Sequence, residues 1–335
     1  MRLFTLDKAE TSRLEPLIVR YPYHDYRNYR IISREAQARI LRREIEEGRR
    51  SIVALEDHGA IVGFATYGPL PWDSRVFGVP MAKIGHLIVD PQREPKAPLL
   101  KALLQGVLAL AQDEGVRHLS LRVDCDDLET VHSLEDEGFR LMDCLVTYLF
   151  TCRKDTLPPV KTLYTIREYR PEDREAVLAI VRERYAEYPG RFAVDPSLPP
   201  GASQRFYLAW AENACSGEMA DNIIVAERGG RIVGFLTYQF NATVLKTTGI
   251  RIAGRGLSAV LPEGVGAYLG MITFPIKRYL EHADLAEFDS QLGNLLALRA
   301  YQKLGFQPVR AKYAFHKKVS VQRSAISRQP RTKRR

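Results

Sequence analysis

The apolar and polar positions follow the same pattern twice along the 335-residue chain. Residues 52–67 (IVALEDHGAIVGFATY) and 223–238 (IIVAERGGRIVGFLTY) each contain two runs of alternating apolar residues around a turn with glycine. Alternation with a period of two is typical of strands, so each segment predicts a β-hairpin. The second strand of both hairpins contains the motif I-V-G-F-x-T-Y.

A second feature recurs further along each half. The segments LEDEGFRL (134–141) and YQKLGFQP (301–308) each predict a helix that ends at Gly, followed by a strand that begins at Phe. The hairpin glycine and this helix-end glycine are 75 residues apart in the first half and 71 in the second. Two features in the same order at nearly the same spacing predict a duplicated domain.

Strands and helices therefore mix in both halves, which predicts an α/β (α+β) fold. We expect two tandem domains, each with a mixed central β-sheet flanked by helices. Pro158 and Pro159, with charged residues around them, mark a linker. The predicted boundaries are 1–155 for the first domain, 156–162 for the linker, 163–320 for the second domain and 321–335 for a basic tail.

The charge and the cysteines narrow the class of protein. The formal net charge is +9, but the tail 321–335 holds six Lys and Arg and no acid, and removing them leaves +3. A short basic tail without aromatic residues predicts a disordered end more than a nucleic-acid contact. The four cysteines are far apart and predict neither a metal site nor disulfides, so we expect a cytoplasmic protein. The most apolar helical run, 99–111, is too short to span a membrane.

The segment QLGNLLALRAYQKLGF (291–306) places two polar groups on one face of a predicted helix. Asn294 and Tyr301 are seven residues apart, about two helical turns, so their side chains point the same way. The turn that precedes the previous helix consists of Gly264, Val265, Gly266 and Ala267. Small residues before a helix let backbone N–H groups approach a diphosphate.

This order of turn, strand and Asn-(x)6-Tyr-(x)3-Gly-Phe helix resembles the GNAT acyl-CoA N-acyltransferases. The resemblance implies that acetyl-CoA is the co-substrate and that its diphosphate lies on the turn 264–267. It implies further that Asn294 holds the pantetheine arm and that Tyr301 protonates the departing thiolate. From the residues themselves another interpretation stays open, in which Asn294 only caps the helix and Tyr301 only packs.

The segment 190–221 resembles the R-F…R-F-Y-x-x-W-x-E-N-A-x-x-G region of dTDP-fucosamine acetyltransferases, and residues 70–84 and 134–150 resemble their reduced N-terminal domain. This implies a nucleotide-linked amino sugar as acceptor. Arginine pairs phosphate oxygens, and aromatic faces stack on a base or a pyranose. The predicted substrate-binding residues are Arg191, Arg205, Tyr207 and Trp210.

The chain departs from the family pattern at several positions. Leu261 and Glu263 stand in the phosphate turn where the family has Arg or Gln, and an anion there disfavours a diphosphate. In the first half the corresponding turn, 91–99, has three prolines and no glycine. The positions matching Asn294 and Tyr301 hold Asp127 and Leu134, so we expect a degenerate, structural or substrate-facing first domain.

The general base is not identified by the sequence. Glu263, Asp289, His282 and a chain of water molecules are the candidates for removing the amine proton. A backbone N–H near residues 257–260 is expected to stabilise the tetrahedral oxyanion.

Three functions remain open from the sequence. The first is N-acetylation of a primary amine, foremost an amino sugar, by direct transfer in a ternary complex. The second is acetylation of a protein, a peptide or a small amine, and the third is a non-catalytic acyl-CoA-binding protein. A small-molecule amine is the expected partner, a nucleotide sugar and a homodimer stay open, and neither a membrane span nor a metal is expected.

Overall fold

A computed structural model of the chain describes residues 1–152, 157–254, 256–279 and 283–320. Within these residues the strands are β1 (Arg2–Leu6), β2 (Ser51–Asp57), β3 (Ala60–Pro69), β4 (Met81–Val89), β5 (His118–Asp124), β6 (Arg140–Thr151), β7 (Thr165–Glu168), β8 (Asn222–Arg228), β9 (Arg231–Phe240), β10 (Ile252–Gly254), β11 (Ser258–Val260), β12 (Leu285–Gln291) and β13 (Gln307–Lys318). The α-helices are α1 (Glu15–Arg20), α2 (Arg34–Glu47), α3 (Pro71–Phe77), α4 (Ala97–Asp113), α5 (Leu128–Asp136), α6 (Arg174–Arg184), α7 (Ala202–Cys215), α8 (Ala242–Thr248), α9 (Ala267–Tyr279) and α10 (Leu295–Lys303). The basic tail, part of the predicted linker and His282 lie outside the described residues.

The strands form one mixed sheet that runs through both halves of the chain. Its order is β1-β2-β3-β4-β5-β13-β6-β12-β10-β9-β8-β7, with β11 paired to β9. β4 is parallel to β5, and β10 is parallel to β12, whereas the hairpin strands are antiparallel. The mixed α/β architecture predicted from the sequence is therefore confirmed.

The last strand of each half is exchanged with the other half. β13 pairs with β5 of the first half, from Lys312↔Asp124 to Lys318↔His118. β6 pairs with β12 of the second half, from Gln291↔Leu145 to Leu285↔Thr151. The two last strands also pair with each other, so the boundary predicted near residue 155 divides the sequence but not the sheet. The division into two functional domains stays a prediction.

The predicted repeat is present in detail. The β2–β3 and β8–β9 hairpins carry the same register shift, after Leu55 in the first and after Ala226 in the second. Helices α5 and α10 begin at residues with nearly identical backbone angles, −84° and 66° at Asp127 against −85° and 67° at Asn294. The glycines that follow these helices have positive φ angles of 73° and 87°, which glycine adopts without strain.

Each half has its own apolar core, and a third cluster joins them. α4 packs against β2, β3 and β4, while α9 and α10 pack with β8, β9 and β12. α3 of the first half packs against α7 of the second, where the rings of Trp72 and Phe206 are 5.1 Å apart. No helix of the described residues is both long and apolar enough to cross a membrane.

Candidate functional site

The sheet opens between two neighbouring strands of the second half. β10 and β12 pair in parallel from Ile252↔Leu285 to Gly254↔Glu287, and in the described residues the pairing ends there. β11 continues along β9 instead, so Ser258–Val260 and Phe288–Gln291 diverge. We call the wedge between these two segments the second-half opening.

The register determines which backbone groups face the second-half opening. Leu257 and Leu261 both form main-chain hydrogen bonds to β9, at 2.8 Å each. Bonded positions alternate along an antiparallel ladder, so the N–H groups of Ser258 and Val260 point away from β9. These N–H groups lie in the segment predicted to hold the oxyanion donor.

Tyr301 on α10 contacts one edge of the second-half opening directly and the other through Tyr268 of α9. Its ring stacks on Phe288 of β12, with 5.6 Å between the centroids. Its hydroxyl lies 2.9 Å from the hydroxyl of Tyr268, which in turn accepts a long hydrogen bond of 3.5 Å from Ser258 of β11. The three hydroxyl groups form a chain that ends at Tyr301.

The environment of Tyr301 makes its phenol a weak acid in the absence of a ligand. The side chain is 2% exposed. Burial raises the pKa of Tyr301 well above its usual value, and Tyr268 adds to the rise. A thiolate formed at the same place is also removed from water, which raises the pKa of the thiol. The pKa values of the phenol and the thiol therefore rise together.

Asn294 caps α10, as one of the two sequence interpretations predicts. Its side-chain oxygen accepts the N–H of Ala297 at 3.4 Å, a long and weak capping contact. In the described residues its NH₂ group has no partner, so it stays free to donate. Capping therefore leaves the nitrogen end of the amide available for a ligand.

The turn 264–267 presents its backbone at the start of α9. Gly266 has a φ of 94° with open space where a side chain would begin, and Val265 is 80% exposed. Among the described residues no backbone acceptor takes the N–H groups of Val265 and Gly266. The hydroxyl of Tyr164 fixes the turn by donating to the carbonyls of Glu263 and Val265, at 2.9 and 3.1 Å.

The two departures from the family pattern have other structural roles. Leu261 is 5% exposed and packs in the core beneath α6 and α7, so it does not face the turn. Glu263 pairs with Arg231 at 3.0 Å, which offsets its charge. Gly264 is required by packing, since a side chain there would lie 2.8 Å from the carbonyl oxygen of Val233.

Comparison with known proteins agrees with this geometry. Residues 16–139 match the model of the acetyltransferase (GNAT) family. The chain therefore contains a GNAT acetyltransferase domain. Acetyl-CoA is the co-substrate of this family.

Two solved structures share the whole architecture. A GCN5-related N-acetyltransferase from Sphaerobacter thermophilus aligns with a TM-score of 0.64 at 18% identity, over 95% of each chain. A tandem GNAT protein from the clavulanic acid biosynthesis pathway, solved without AcCoA, aligns with a TM-score of 0.57 at 15% identity, over 96% of this chain and 99% of its own. Both likenesses confirm the tandem GNAT fold.

One curated relative matches most of the sequence. It is the spore coat polysaccharide biosynthesis protein SpsD of Bacillus subtilis (strain 168). The identity is 20% over 268 residues, which cover 79% of this chain and 86% of the relative.

The first GNAT half has an equivalent opening with different groups around it. β4 pairs with β5 only from Met81↔His118 to Lys83↔Ser120 in the described residues, and the strands then diverge. Leu134 is fully buried, and Asp127 caps α5 through its carboxylate. The family model thus matches the half that lacks the predicted Asn and Tyr.

The predicted substrate residues lie in two places: Tyr207, Trp210 and Arg191 contact other aromatic rings, and Arg205 lies apart from them. Tyr207 stacks on Tyr185 at 4.2 Å and lies parallel to Trp210 at 6.4 Å, and the guanidinium of half-buried Arg191 lies 4.3 Å from the ring centroid of Phe192. Arg205 is exposed on α7 and contacts the carbonyl of Pro200 at 3.4 Å, so the structure does not place it with Arg191.

No pattern in the sequence points to Asp143, which lies on β6 beside the second-half opening. One carboxylate oxygen accepts a hydrogen bond from Gln291 of β12 at 2.9 Å. The other oxygen is buried and has no partner among the described residues. Burial raises the pKa of Tyr188 to about 12, and Asp143 and then Tyr268 add to the rise. Tyr188 therefore lies near these two residues. Strand exchange brings Asp143 here from the first half, and no local motif marks it.

The acids that the sequence suggested as bases are engaged elsewhere. Asp289 accepts the hydroxyl of Thr147 at 2.6 Å, and Glu263 pairs with Arg231. His282 lies outside the described residues. Asp143 is therefore the best-placed acceptor for a proton or an ammonium group in the described part of the site.

Proposed function

We propose that the chain transfers the acetyl group of acetyl-CoA to the primary amine of an amino sugar in the second-half opening. The observation that carries the proposal is the pairing of two groups around one opening. The buried phenol of Tyr301 packs on one edge and reaches the other through Tyr268, and the carboxylate of Asp143, with one unpartnered oxygen, lies at the end of β12. An acyl transfer to an amine needs a proton donor for the leaving thiolate and an acceptor for the amine proton.

The second half also holds the groups that fit the donor molecule. The free N–H groups of Val265 and Gly266, at the start of α9, suit a diphosphate, and the helix dipole adds to their attraction. Gly264 and Ala267 keep side chains away from this turn. The NH₂ group of Asn294 suits a carbonyl of the pantetheine arm. Tyr301 then lies two turns further along α10, where the thioester sulfur is expected.

The acetyl transfer follows as direct attack in a ternary complex. Asp143 holds the amine as an ammonium ion and accepts one proton, which frees the nitrogen lone pair to attack the thioester carbonyl. The N–H groups of Ser258 and Val260 stabilise the oxyanion of the tetrahedral intermediate. When the C–S bond breaks, Tyr301 donates its proton to the sulfur, and the hydroxyl of Tyr268 stabilises the phenolate until it takes up the second proton of the acylated nitrogen. The products are an N-acetyl amide and CoA thiol.

The aromatic wall and the curated relative both favour a sugar as acceptor. Tyr188, Tyr207 and Trp210 present flat rings on the segment that follows α6, and such rings pack on the apolar faces of a pyranose. The name of the SpsD protein connects it with polysaccharide synthesis. A nucleotide-linked 4-amino-4,6-dideoxyhexose is the form that the 190–221 segment predicts, with Arg191 and Arg205 as candidates for its diphosphate.

A thiol-release assay with a panel of amines tests the proposal. Free amino sugars, dTDP- and UDP-linked amino sugars, a lysine peptide and a polyamine are each incubated with acetyl-CoA and the full chain. We expect release of CoA thiol with the amino sugars, and the acetylated product by mass spectrometry. Release of CoA thiol with only the peptide or the polyamine would show that the acceptor is not an amino sugar. Acetyl-CoA binding without turnover on any amine would favour a non-catalytic role.

A further inference from the structure

Three cationic side chains converge between the two halves without a counter-ion. Lys83 of β4, Arg122 of β5 and Arg191 of the loop before α7 form no hydrogen bond and no ion pair through their charged groups in the described residues. Lys83 and Arg191 are half-buried, and Arg122 is exposed. Cations removed from water in this way cost free energy unless an anion pairs with them.

The register of the sheet places two of these residues on one face. Lys83 lies opposite Ser120 of β5, and Arg122 lies two residues further along the same strand. Arg122 also lies opposite Ala314 of β13, which in turn lies opposite Asp143 of β6. Directly opposed residues on neighbouring strands share one face of the sheet. Arg122 and Asp143 therefore lie on the same face, on either side of the small side chain of Ala314.

Ring contacts place Arg191 with the same group. Its guanidinium lies 4.3 Å from the ring centroid of Phe192, and Phe192 stacks on His316 at 5.7 Å. His316 lies opposite Ser120, the residue paired with Lys83.

Burial lowers the pKa of Lys83 to about 8, and the charges of Arg50, Arg122 and Arg191 contribute. Burial lowers the pKa of Arg191 to about 10, and Arg122 is the largest charge acting in the same direction. The cations therefore repel one another across a short distance, which a bound anion would relieve.

A cavity adjoins this cationic group on the side of the first half. It encloses about 50 Å³ between the diverging β4 and β5, and Arg122 forms part of its lining together with Glu44 and Asp124. The side-chain oxygen of Gln37 also lies in this lining, buried and unpartnered among the described residues. This space holds water or one small polar group, and its lining offers polar contacts to such a group.

We propose that Lys83, Arg122 and Arg191 bind a phosphate or diphosphate group of the acceptor substrate. This inference rests on the proposed acetyl transfer in the second-half opening and names the class of its acceptor. The amine lies at Asp143 and Tyr301, and the phosphate oxygens lie against the three cations. The degenerate first half thereby supplies most of the anion subsite.

The acids near the three cations fit a ligand that carries both charges. Asp73 of α3 lies near Lys83 and Arg191, and Asp143 lies near Arg191, yet no pair of these residues comes within salt-bridge distance. Burial raises the pKa of Asp73, so its negative charge is disfavoured. Asp143 is the acid that faces the proposed ammonium group of the ligand. The phosphate group lies at the three cations, so the two charged ends of the ligand bind at different places.

Binding of pyrophosphate and of uridine diphosphate to the full chain tests the subsite without any acetyl transfer. The two tryptophans of the chain, Trp72 and Trp210, both contact Phe206, so their fluorescence reports on this region. Lys83→Gln, Arg122→Gln and Arg191→Gln are compared with Arg184→Gln, which changes an exposed arginine on α6. Calorimetry confirms each affinity, and acetyl-CoA binding is measured in parallel.

We expect each of the three variants to weaken diphosphate binding about tenfold or more, because charge-assisted hydrogen bonds are lost. The control variant should bind like the native chain, and acetyl-CoA affinity should stay the same in all of them. Failure of the native chain to bind either diphosphate at millimolar concentration would overturn the subsite, whatever the thiol-release assay shows. An equal loss of acetyl-CoA and diphosphate binding would assign the cations to the phosphates of CoA instead.

Discussion

Replacing Tyr301 by Phe removes one hydroxyl from the centre of the site and leaves the ring in place. The ring keeps its stacking on Phe288 and its contact with Tyr148, whose centroid lies 5.4 Å away. The hydroxyl of Tyr268 loses its partner at 2.9 Å, a loss of about 1 kcal/mol for a neutral hydrogen bond. The protein should therefore stay folded.

The catalytic effect of Tyr301→Phe should be much larger than the effect on stability. General acid catalysis typically contributes about 10²–10⁴-fold, so kcat should fall by that range, or about 3–5 kcal/mol in the barrier. Tyr268→Phe is the matched control, since it removes the same hydrogen bond but keeps the proton donor. We expect a kcat loss of less than about tenfold for the control.

The assay is steady-state thiol release with the best acceptor from the panel, with acetyl-CoA affinity measured by calorimetry. Tyr301→Phe should bind acetyl-CoA like the native chain and lose kcat. A kcat within twofold of the native value would refute the role of Tyr301 and leave its phenol as a packing residue. Equal losses in both variants would assign the effect to the hydroxyl chain as a whole.

Two further predictions concern proton transfer and stability. Asp143→Asn keeps the size of the side chain but loses the charge, so kcat/KM should fall about 100-fold with acetyl-CoA binding unchanged; a change below twofold would remove Asp143 from the mechanism. Burial lowers the pKa values of His24 and His316 to about 4, so the unfolded chain binds more protons than the folded one between about pH 6.5 and pH 4. Stability should therefore fall as the pH is lowered through this window, by about 2 kcal/mol for each histidine at pH 5. Denaturant unfolding at pH 7 and pH 5 measures this, and equal stability at the two values would contradict it.

The features that the sequence predicts correctly are local. The repeated hairpins and the helices that end at Gly138 and Gly305 follow from periodicity and spacing over a few turns. These patterns depend on neighbours along the chain, which a single sequence displays.

The features that the sequence does not predict depend on pairing across the whole chain. β6 and β13 have similar patterns, and either could complete either half, so the exchange cannot be deduced from them. Asp143 reaches the second-half opening through that exchange alone. Lys83 and Arg122 are separated from Arg191 by more than 65 residues and carry no motif, so their convergence is visible only in the fold.

The central claim is that acetyl-CoA binds in the second half, and a matched pair of helix caps tests it most directly. Asn294 and Asp127 cap nine-residue helices with nearly identical backbone angles, so Asn294→Ala and Asp127→Ala should cost similar stability, about 1 kcal/mol each. Calorimetric titration of the native chain should give one acetyl-CoA site. Asn294→Ala should weaken that site about tenfold, whereas Asp127→Ala should leave it unchanged. Two equivalent sites in the native chain, or a loss of acetyl-CoA affinity in Asp127→Ala alone, would contradict the account.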